Sequence, residues 1–223
     1  MRPSQLPLPL SPTPQLSRAD LIVSPENAEA VAFIDSWPGW SVATAALYGP
    51  QGCGKTHLVT IWSRMSGATV VSARGISDNL PRGPLAIEDV DSAPVTLARD
   101  SVLFAAFEGA DSTAPLILTG REPPASWARG LPDLASRFAA LAAFPLREPG
   151  EDMLAALTHK LFADRQLAVP NAVITRMLHL LERSPGAIRD FVARADAAAL
   201  AQSRPVNLSL LRDLIAEEEG EVG

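Results

Sequence analysis

The segment at residues 49–56 reads Gly-Pro-Gln-Gly-Cys-Gly-Lys-Thr, which fits the P-loop pattern. Glycines let successive backbone N–H groups face one anion, and the amino end of a following helix adds partial positive charge. The lysine can reach the outer phosphates of a nucleotide, and the threonine hydroxyl can ligate Mg²⁺. An ordinary glycine-rich turn is the alternative. The pattern predicts that ATP or ADP binds through these residues: Gly49, Pro50, Gly52, Cys53, Gly54, Lys55 and Thr56.

Two carboxylates, Glu88 and Asp89, follow an apolar run that begins at Leu85. A buried parallel strand brings the residues at its carboxyl end to the same edge of the sheet as the phosphate loop. We therefore predict that Glu88 holds Mg²⁺ together with Thr56, and that Asp89 orients an attacking water. The alternative is a solvated or helix-capping acidic turn.

Two more residues are candidates for contact with a nucleotide. Thr119 ends an apolar run and could hydrogen-bond the γ-phosphate or its water, although a threonine at a strand end can also be purely structural. Arg189 lies near the amino end of the helix that Ser184 begins, where the helix dipole disfavours a cation. A phosphate could compensate for this charge, and so could an ion pair with Asp190.

Short apolar runs alternate with segments of helical periodicity through the first two thirds of the chain. The runs predict strands at residues 44–48, 69–72, 85–89, 116–119 and 142–146, the last one at an edge or shortened because of its proline. Helices are predicted from an N-cap at Ser24 to about Ser36, after the P-loop to Gly67, over residues 94–108, and as a short turn or helix over 133–138. In the helix over 94–108, an apolar stripe is predicted, with Leu103 and Phe107 alongside it: Val95, Ala98, Val102 and Ala105. The alternation of strands and helices predicts an α/β fold with a parallel, doubly wound sheet.

After residue 149 the sequence shows helical periodicity alone. We expect three regions: a flexible proline-rich tail (1–20), an α/β nucleotide-binding domain (21–148) and a small all-α lid domain (149–223). Four apolar stripes are predicted to form the lid core: Leu154, Leu157 and Leu161; Ile174, Met177, Leu178 and Leu181; Ile188, Phe191, Val192 and Ala195; Leu208, Leu211 and Ile215.

The 223 residues carry a net charge of −6, which argues against a broad nucleic-acid-binding surface without excluding a local basic patch. Cys53 is the single cysteine, so no internal disulfide can form, and its place in the loop suggests a small filler residue. No apolar run approaches the length of a membrane span, and no signal peptide is evident. We expect a cytoplasmic protein that does not associate with membranes.

The tail contains the segment Gln-Leu-Pro-Leu-Pro-Leu at residues 5–10, in which leucines lie on a chain without a core. Such leucines favour a partner groove that receives them, although a simple proline-rich tail is the alternative. The segment resembles the short peptide that bacterial proteins insert into the DNA sliding clamp. This resemblance implies a clamp-binding role for Gln5, Leu6, Leu8 and Leu10.

Taken together, five segments resemble the AAA+ ATPases of the DnaA/Hda family, and in particular its short Hda-like regulators. They correspond to Walker A (49–56), Walker B (87–90), sensor I with its exit (118–119 and 123–124), the arginine-finger segment (134–138) and the sensor II helix (187–189). The resemblance implies that Arg137 is an arginine finger that acts in trans on a DnaA-type initiator. Hydrolysis of the ATP bound to the initiator would then prevent re-initiation of replication. A structural ion pair is the alternative for Arg137.

The family also implies bound ADP in a mainly conformational role, weak or absent ATP hydrolysis by the chain itself, and possible homo-oligomers. Because the arrangement resembles a clamp peptide followed by an AAA+ module alone, direct and specific DNA binding is not expected. The chain departs from the family at Glu88, where aspartate is usual, and over residues 120–122. A self-sufficient ATPase, a DNA-handling loader and a small P-loop phosphotransferase remain alternatives. Turnover lost in Lys55→Ala, or salt-sensitive DNA binding, would favour one of them.

Overall fold

The computed structural model describes residues 16–128 and 131–221. The predicted clamp-binding residues lie outside these ranges. The chain divides after Glu148 into two compact units. The first unit begins at Leu16, because residues 17–20 form a short 3₁₀ turn in which the Arg18 guanidinium pairs with Asp35 and the Ser17 carbonyl contacts His57.

The first unit contains a five-stranded parallel sheet, which confirms the predicted fold class. Its strands are ordered β2-β3-β4-β1-β5. Pro145 ends the edge strand β5, as its missing N–H requires. The strands are β1 (Thr44–Tyr48), β2 (Thr69–Ser72), β3 (Leu85–Glu88), β4 (Leu116–Gly120) and β5 (Ala142–Pro145).

Alternate residues of the central strands enter two separate hydrophobic clusters, one on each face of the sheet. In β4, Leu116 and Leu118 enter one cluster and Ile117 enters the other. In β3, Ile87 and Ala86 divide in the same way. Both faces of the sheet are therefore covered, which explains why these strands are apolar throughout.

Four helices accompany the sheet: α1 (Ala28–Asp35), α2 (Lys55–Ser66), α3 (Leu97–Glu108) and α4 (Pro132–Ala139). Gly67 ends α2 with a φ of 73°, as predicted. The prediction that Ser24 caps α1 is wrong, since Asn27 is its N-cap. The Asn27 side chain accepts from the Ser24 N–H and donates to the Ile22 carbonyl, which holds the preceding residues in a turn.

Helix α3 differs from the prediction in both its start and its buried face. Thr96 caps it, and its hydroxyl accepts from the Arg99 N–H, so residues 94–96 are not helical. Of the predicted stripe, Val95, Ala98 and Ala105 are exposed. The helix instead buries a face that includes two charged residues: Arg99, Asp100, Val102, Leu103, Ala106 and Phe107.

The second unit consists of four helices: α5 (Glu151–Asp164), α6 (Asn171–Leu180), α7 (Pro185–Gln202) and α8 (Leu208–Glu221). Helix α5 packs against α6 and α7, and α8 packs against the same two helices. The stripe predicted for α8 is wrong at Leu208, which is exposed, whereas Leu210 and Leu214 are buried beside Leu211. Among the described residues, no helix is both long and apolar enough to cross a membrane.

Candidate functional site

The P-loop leaves the carboxyl end of β1 and leads directly into α2. The Gly49 N–H donates to the Gly120 carbonyl at 3.2 Å, which ties the start of the loop to the end of β4. Gly49 has a φ of 150°, and a Cβ at this position would lie 2.0 Å from the Leu146 carbonyl oxygen. Gly54, with a φ of 108°, is the N-cap of α2. Both glycines are therefore required by the backbone path of the loop.

Lys55 is buried and its ammonium group lies inside the loop. Its Nζ donates to the Gly49 carbonyl at 2.7 Å and to the Pro50 carbonyl at 2.8 Å. An anion within the loop would offer a charged acceptor in exchange for these neutral ones. Thr56 is exposed and therefore accessible to a metal ion or a phosphate.

Cys53 fills the space beneath the loop, since its Sγ would lie 3.3 Å from a Cβ at position 49. Burial raises the pKa of the Cys53 thiol, and the Lys55 ammonium lowers it to a smaller extent. The neutral thiol is therefore the form that the fold favours, in agreement with the predicted filler role.

The two acids of the β3 end have different surroundings. Glu88 is the last residue of β3, and its Oε1 is buried without a hydrogen-bond partner among the described residues. Asp89 is exposed, and its backbone adopts the left-handed conformation with a φ of 58°. Its N–H donates to the Thr119 Oγ1 at 3.1 Å. The structure thus brings three predicted site residues, Glu88, Asp89 and Thr119, to one edge of the sheet.

A third carboxylate, Asp91, connects this turn to the residues after β4 and was not identified from the sequence. Its Oδ2 accepts from the N–H groups of Arg121 at 2.6 Å and of Glu122 at 2.9 Å. The Arg121 Nη2 in turn donates to the Gln51 Oε1 of the P-loop at 3.3 Å. The only sequence signal was the departure from the family pattern at residues 120–122.

Arg99 also joins the turn after β3 to the residues after β4, and it was not identified from the sequence. Its guanidinium donates to the Val90 carbonyl at 2.9 Å, the Trp127 carbonyl at 3.3 Å and the Asp100 Oδ1 at 3.1 Å. Burial lowers the pKa of Arg99, and the charge of Asp100 raises it. A hydrogen bond from the Trp127 Nε1 to the Glu122 carbonyl completes the connection at 2.7 Å.

Arg137 lies on α4 and has no hydrogen bond or ion pair with the P-loop in the part of the chain that the structure describes. Its guanidinium pairs with Glu108 and lies over the Phe104 ring, 4.6 Å from the centroid. The Arg137 side chain is 36 % exposed, and with Phe104, Asp133, Ser136 and Ala140 it lines a surface cavity of about 370 Å³.

Arg189 belongs to the second unit, in the first turns of α7. The hydroxyl of Ser184 accepts from the Ala187 N–H at 3.2 Å and caps this helix, as predicted. Arg189 is half-buried. Its contact with a nucleotide stays a prediction.

No protein-family model matches the chain, and no curated protein matches it. Solved structures do. Domain III of the Thermotoga maritima replication initiation protein DnaA superposes with a TM-score of 0.72 at 17 % identity, over 91 % of this chain and 98 % of that one. The chain has the AAA+ fold. AMPPCP-bound DnaA from Aquifex aeolicus gives a TM-score of 0.70 at 15 % identity, over 93 % of this chain and 70 % of that one.

The same fold occurs in structures other than those of DnaA. The Thermotoga maritima RuvB Holliday junction branch migration motor superposes with a TM-score of 0.65 at 17 % identity, over 86 % of this chain and 68 % of that one. Identities this low establish the fold alone. Function must therefore be argued from the sites that the fold carries.

The edge of the sheet that carries the P-loop and Glu88 fits a nucleotide-bound Mg²⁺ better than a metal ion held by protein side chains alone. Among the described residues, no group of three or more His, Cys, Asp or Glu side chains could hold a metal ion. Magnesium commonly keeps several waters and binds one or two carboxylates together with substrate phosphates. The unpartnered Glu88 Oε1 and the exposed Thr56 match that smaller demand.

Proposed function

We propose that this chain is a DnaA-related, Hda-like regulator that promotes hydrolysis of the ATP bound to a DnaA-type initiator. In this proposal Gln5, Leu6, Leu8 and Leu10 tether the chain to the DNA sliding clamp, and Arg137 enters the nucleotide site of the initiator. Initiator-bound ATP is then hydrolysed, and re-initiation of replication is prevented. Support comes from the AAA+ fold, from the similarity to DnaA structures and from the character of two separate sites on the first unit.

The first site is the chain's own nucleotide site. ADP or ATP would lie in the P-loop with its phosphates against Lys55, and Thr56 and Glu88 would hold Mg²⁺. Asp89 and Thr119 would orient water at the outer phosphate. Contact of Arg189 with the nucleotide is proposed from the sequence alone. The bonds from Lys55 Nζ to two loop carbonyls support this proposal, since they keep the ammonium group within the loop before any anion arrives. Bound nucleotide would mainly stabilise the conformation of the chain.

The second site is Arg137, and its surface position is the observation that carries the proposal. Only an accessible guanidinium can enter a neighbour's active site, and this side chain is 36 % exposed at the rim of an open cavity. Among the described residues its carboxylate partner is Glu108, which is itself 57 % exposed, and exposed ion pairs contribute about 0–1 kcal/mol. An arginine supplied in trans stabilises the charge of the transferring phosphoryl group and can be worth ~10³–10⁵ in rate.

A reconstituted assay tests the role of Arg137. The initiator is loaded with ATP, and hydrolysis of this ATP is measured in the presence of the full chain and of sliding clamp loaded on DNA. We expect Arg137→Ala to remove at least nine tenths of the stimulation. Arg64→Ala is the matched control, because Arg64 is also an exposed arginine of the first unit but belongs to α2, which packs on the other face of the sheet from α3 and α4. Undiminished stimulation by Arg137→Ala would overturn the proposal.

The tether is tested separately by capture on immobilised clamp. The full chain should be retained, and the double variant Leu6→Ala/Leu8→Ala should be lost, whereas Pro12→Ala in the same tail should behave as the full chain does. Equal retention of all three proteins would overturn the clamp contact without affecting the role of Arg137.

A second candidate, an ATPase acting alone, is favoured by one observation. Glu88, Asp89 and Thr119 already lie together at the edge from which the P-loop leaves, as hydrolysis in cis would require. Steady ATP turnover by the isolated chain, abolished by Lys55→Ala, would establish this candidate. Turnover at the background rate would reject it.

A further inference from the structure

Arg121 is the first residue after β4, and the sheet places its backbone beside the P-loop. The strand pairing sets Gly120 opposite Tyr48, the last residue of β1, and the Gly49 N–H bonds to the Gly120 carbonyl. The side chain that follows Gly120 therefore leaves the sheet where the phosphate loop begins.

The backbone of Arg121 is fixed by Asp91. The Oδ2 of that carboxylate accepts from two successive N–H groups, those of Arg121 and Glu122. Behind them, a Cβ at Gly120 would lie 2.5 Å from the Trp127 ring, so the indole packs directly against the chain. Arg121 thus extends from an anchored backbone toward the loop.

The guanidinium itself is left without an anion. Its hydrogen bond is to a neutral amide, that of Gln51 in the middle of the P-loop, and no carboxylate pairs with it within residues 16–128 and 131–221. Asp91 is close in sequence, but its Oδ2 accepts from backbone N–H groups, and its Oδ1 is buried without a hydrogen-bond partner among the described residues. Arginine forms its strongest and most directional bonds with carboxylate or phosphate oxygens.

We infer that Arg121 is an additional phosphate-binding residue, which contacts the outermost phosphate of a nucleoside triphosphate and so distinguishes ATP from ADP. This inference rests on the proposed nucleotide site. Lys55, inside the loop, serves both nucleotides. Arg121, at its mouth beside Gln51, has an anionic partner only when the third phosphate is present. The Gln51 amide holds the guanidinium in position until then.

The inference is tested by calorimetric titration of the full chain with AMPPCP or ADP, each with Mg²⁺. A hydrogen bond to a charged group predicts that Arg121→Ala weakens AMPPCP binding on the order of tenfold or more. Binding of ADP should change by less than about twofold, since ADP lacks the phosphate in question. Arg82→Ala should leave both affinities unchanged, since Arg82 is exposed and precedes β3, at the end of the parallel strands away from the P-loop. Arg121→Lys, which keeps the charge but not the planar fork, should fall between wild type and Arg121→Ala for AMPPCP.

Two controls distinguish phosphate binding by Arg121 from a purely structural role. If Arg121 only braces the loop, Gln51→Ala and Arg121→Ala will weaken both nucleotides equally, and that result overturns the inference. An unchanged AMPPCP-to-ADP affinity ratio in Arg121→Ala overturns it as well. Lys55→Ala should weaken both nucleotides. If Lys55→Ala weakens neither, the proposed nucleotide site itself fails, which a failure at Arg121 alone does not imply. Because Arg121 is exposed, each variant should melt within a few degrees of wild type.

Discussion

Arg99 and Arg137 lie on neighbouring helices of the first unit, but their guanidinium groups have opposite surroundings. Arg99 is 4 % exposed and donates to three oxygens that belong to three different segments. Arg137 is 36 % exposed, pairs with the exposed Glu108 carboxylate and lies over the Phe104 ring. An arginine side chain therefore connects buried segments at position 99 and is an accessible charge at position 137.

This difference shows how burial divides structural from functional arginines. A buried guanidinium is costly unless every neighbour compensates it, so its removal leaves other groups unpaired. An exposed guanidinium with a weak ion pair can be withdrawn at little cost to the fold and is therefore available to a partner.

The largest expected effect on stability is that of Arg99→Ala. It would leave the buried Asp100 carboxylate and the Val90 and Trp127 carbonyls without their donor. Breaking a buried pair in this way should lower the free energy of unfolding by about 3–5 kcal/mol, measured by urea denaturation. Arg137→Ala is the control and should cost less than about 1 kcal/mol. Equal costs for the two variants would remove the distinction.

A smaller cost is expected for Gly120→Ala, which tests the packing at the end of β4. The added methyl would lie 2.5 Å from the Trp127 ring, and overpacking of this kind should cost about 1–3 kcal/mol. Gly75→Ala is the matched control, since a Cβ there has no neighbour within 4 Å, and its effect should stay within about 0.5 kcal/mol. If both glycines tolerate alanine equally, the indole does not pack as described.

The sequence predicted the sheet well because each central strand is an apolar run that ends in polar or glycine residues. The P-loop was predictable for a different reason, because the types and spacing of its residues define the motif. Prediction failed where polar residues are buried. Arg99 and Asp100 carry no hydrophobic signal, so the stripe predicted for α3 was right at Val102 but wrong at its exposed alanines. The Asp91 and Arg121 contacts were missed because they join segments that are distant in sequence and become neighbours only through strand order.

The smallest effect on stability is expected for Glu108→Ala, which removes the carboxylate partner of Arg137. Because the pair is exposed, unfolding free energy should change by less than about 1 kcal/mol. Stimulation of the initiator should rise, by at most roughly fivefold, since the guanidinium no longer leaves a partner to enter the neighbouring site. If stimulation falls as far as in Arg137→Ala, Glu108 positions the finger instead of competing for it.

In our proposal, this AAA+ chain binds nucleotide through Lys55 but acts on its partner through Arg137. The sharpest test measures two properties of one variant, Arg137→Ala: its own affinity for ADP and its stimulation of ATP hydrolysis by the initiator on clamp-loaded DNA. We expect unchanged affinity and lost stimulation. Full stimulation with intact affinity, or a parallel loss of nucleotide binding, would refute the proposed division of roles between Lys55 and Arg137.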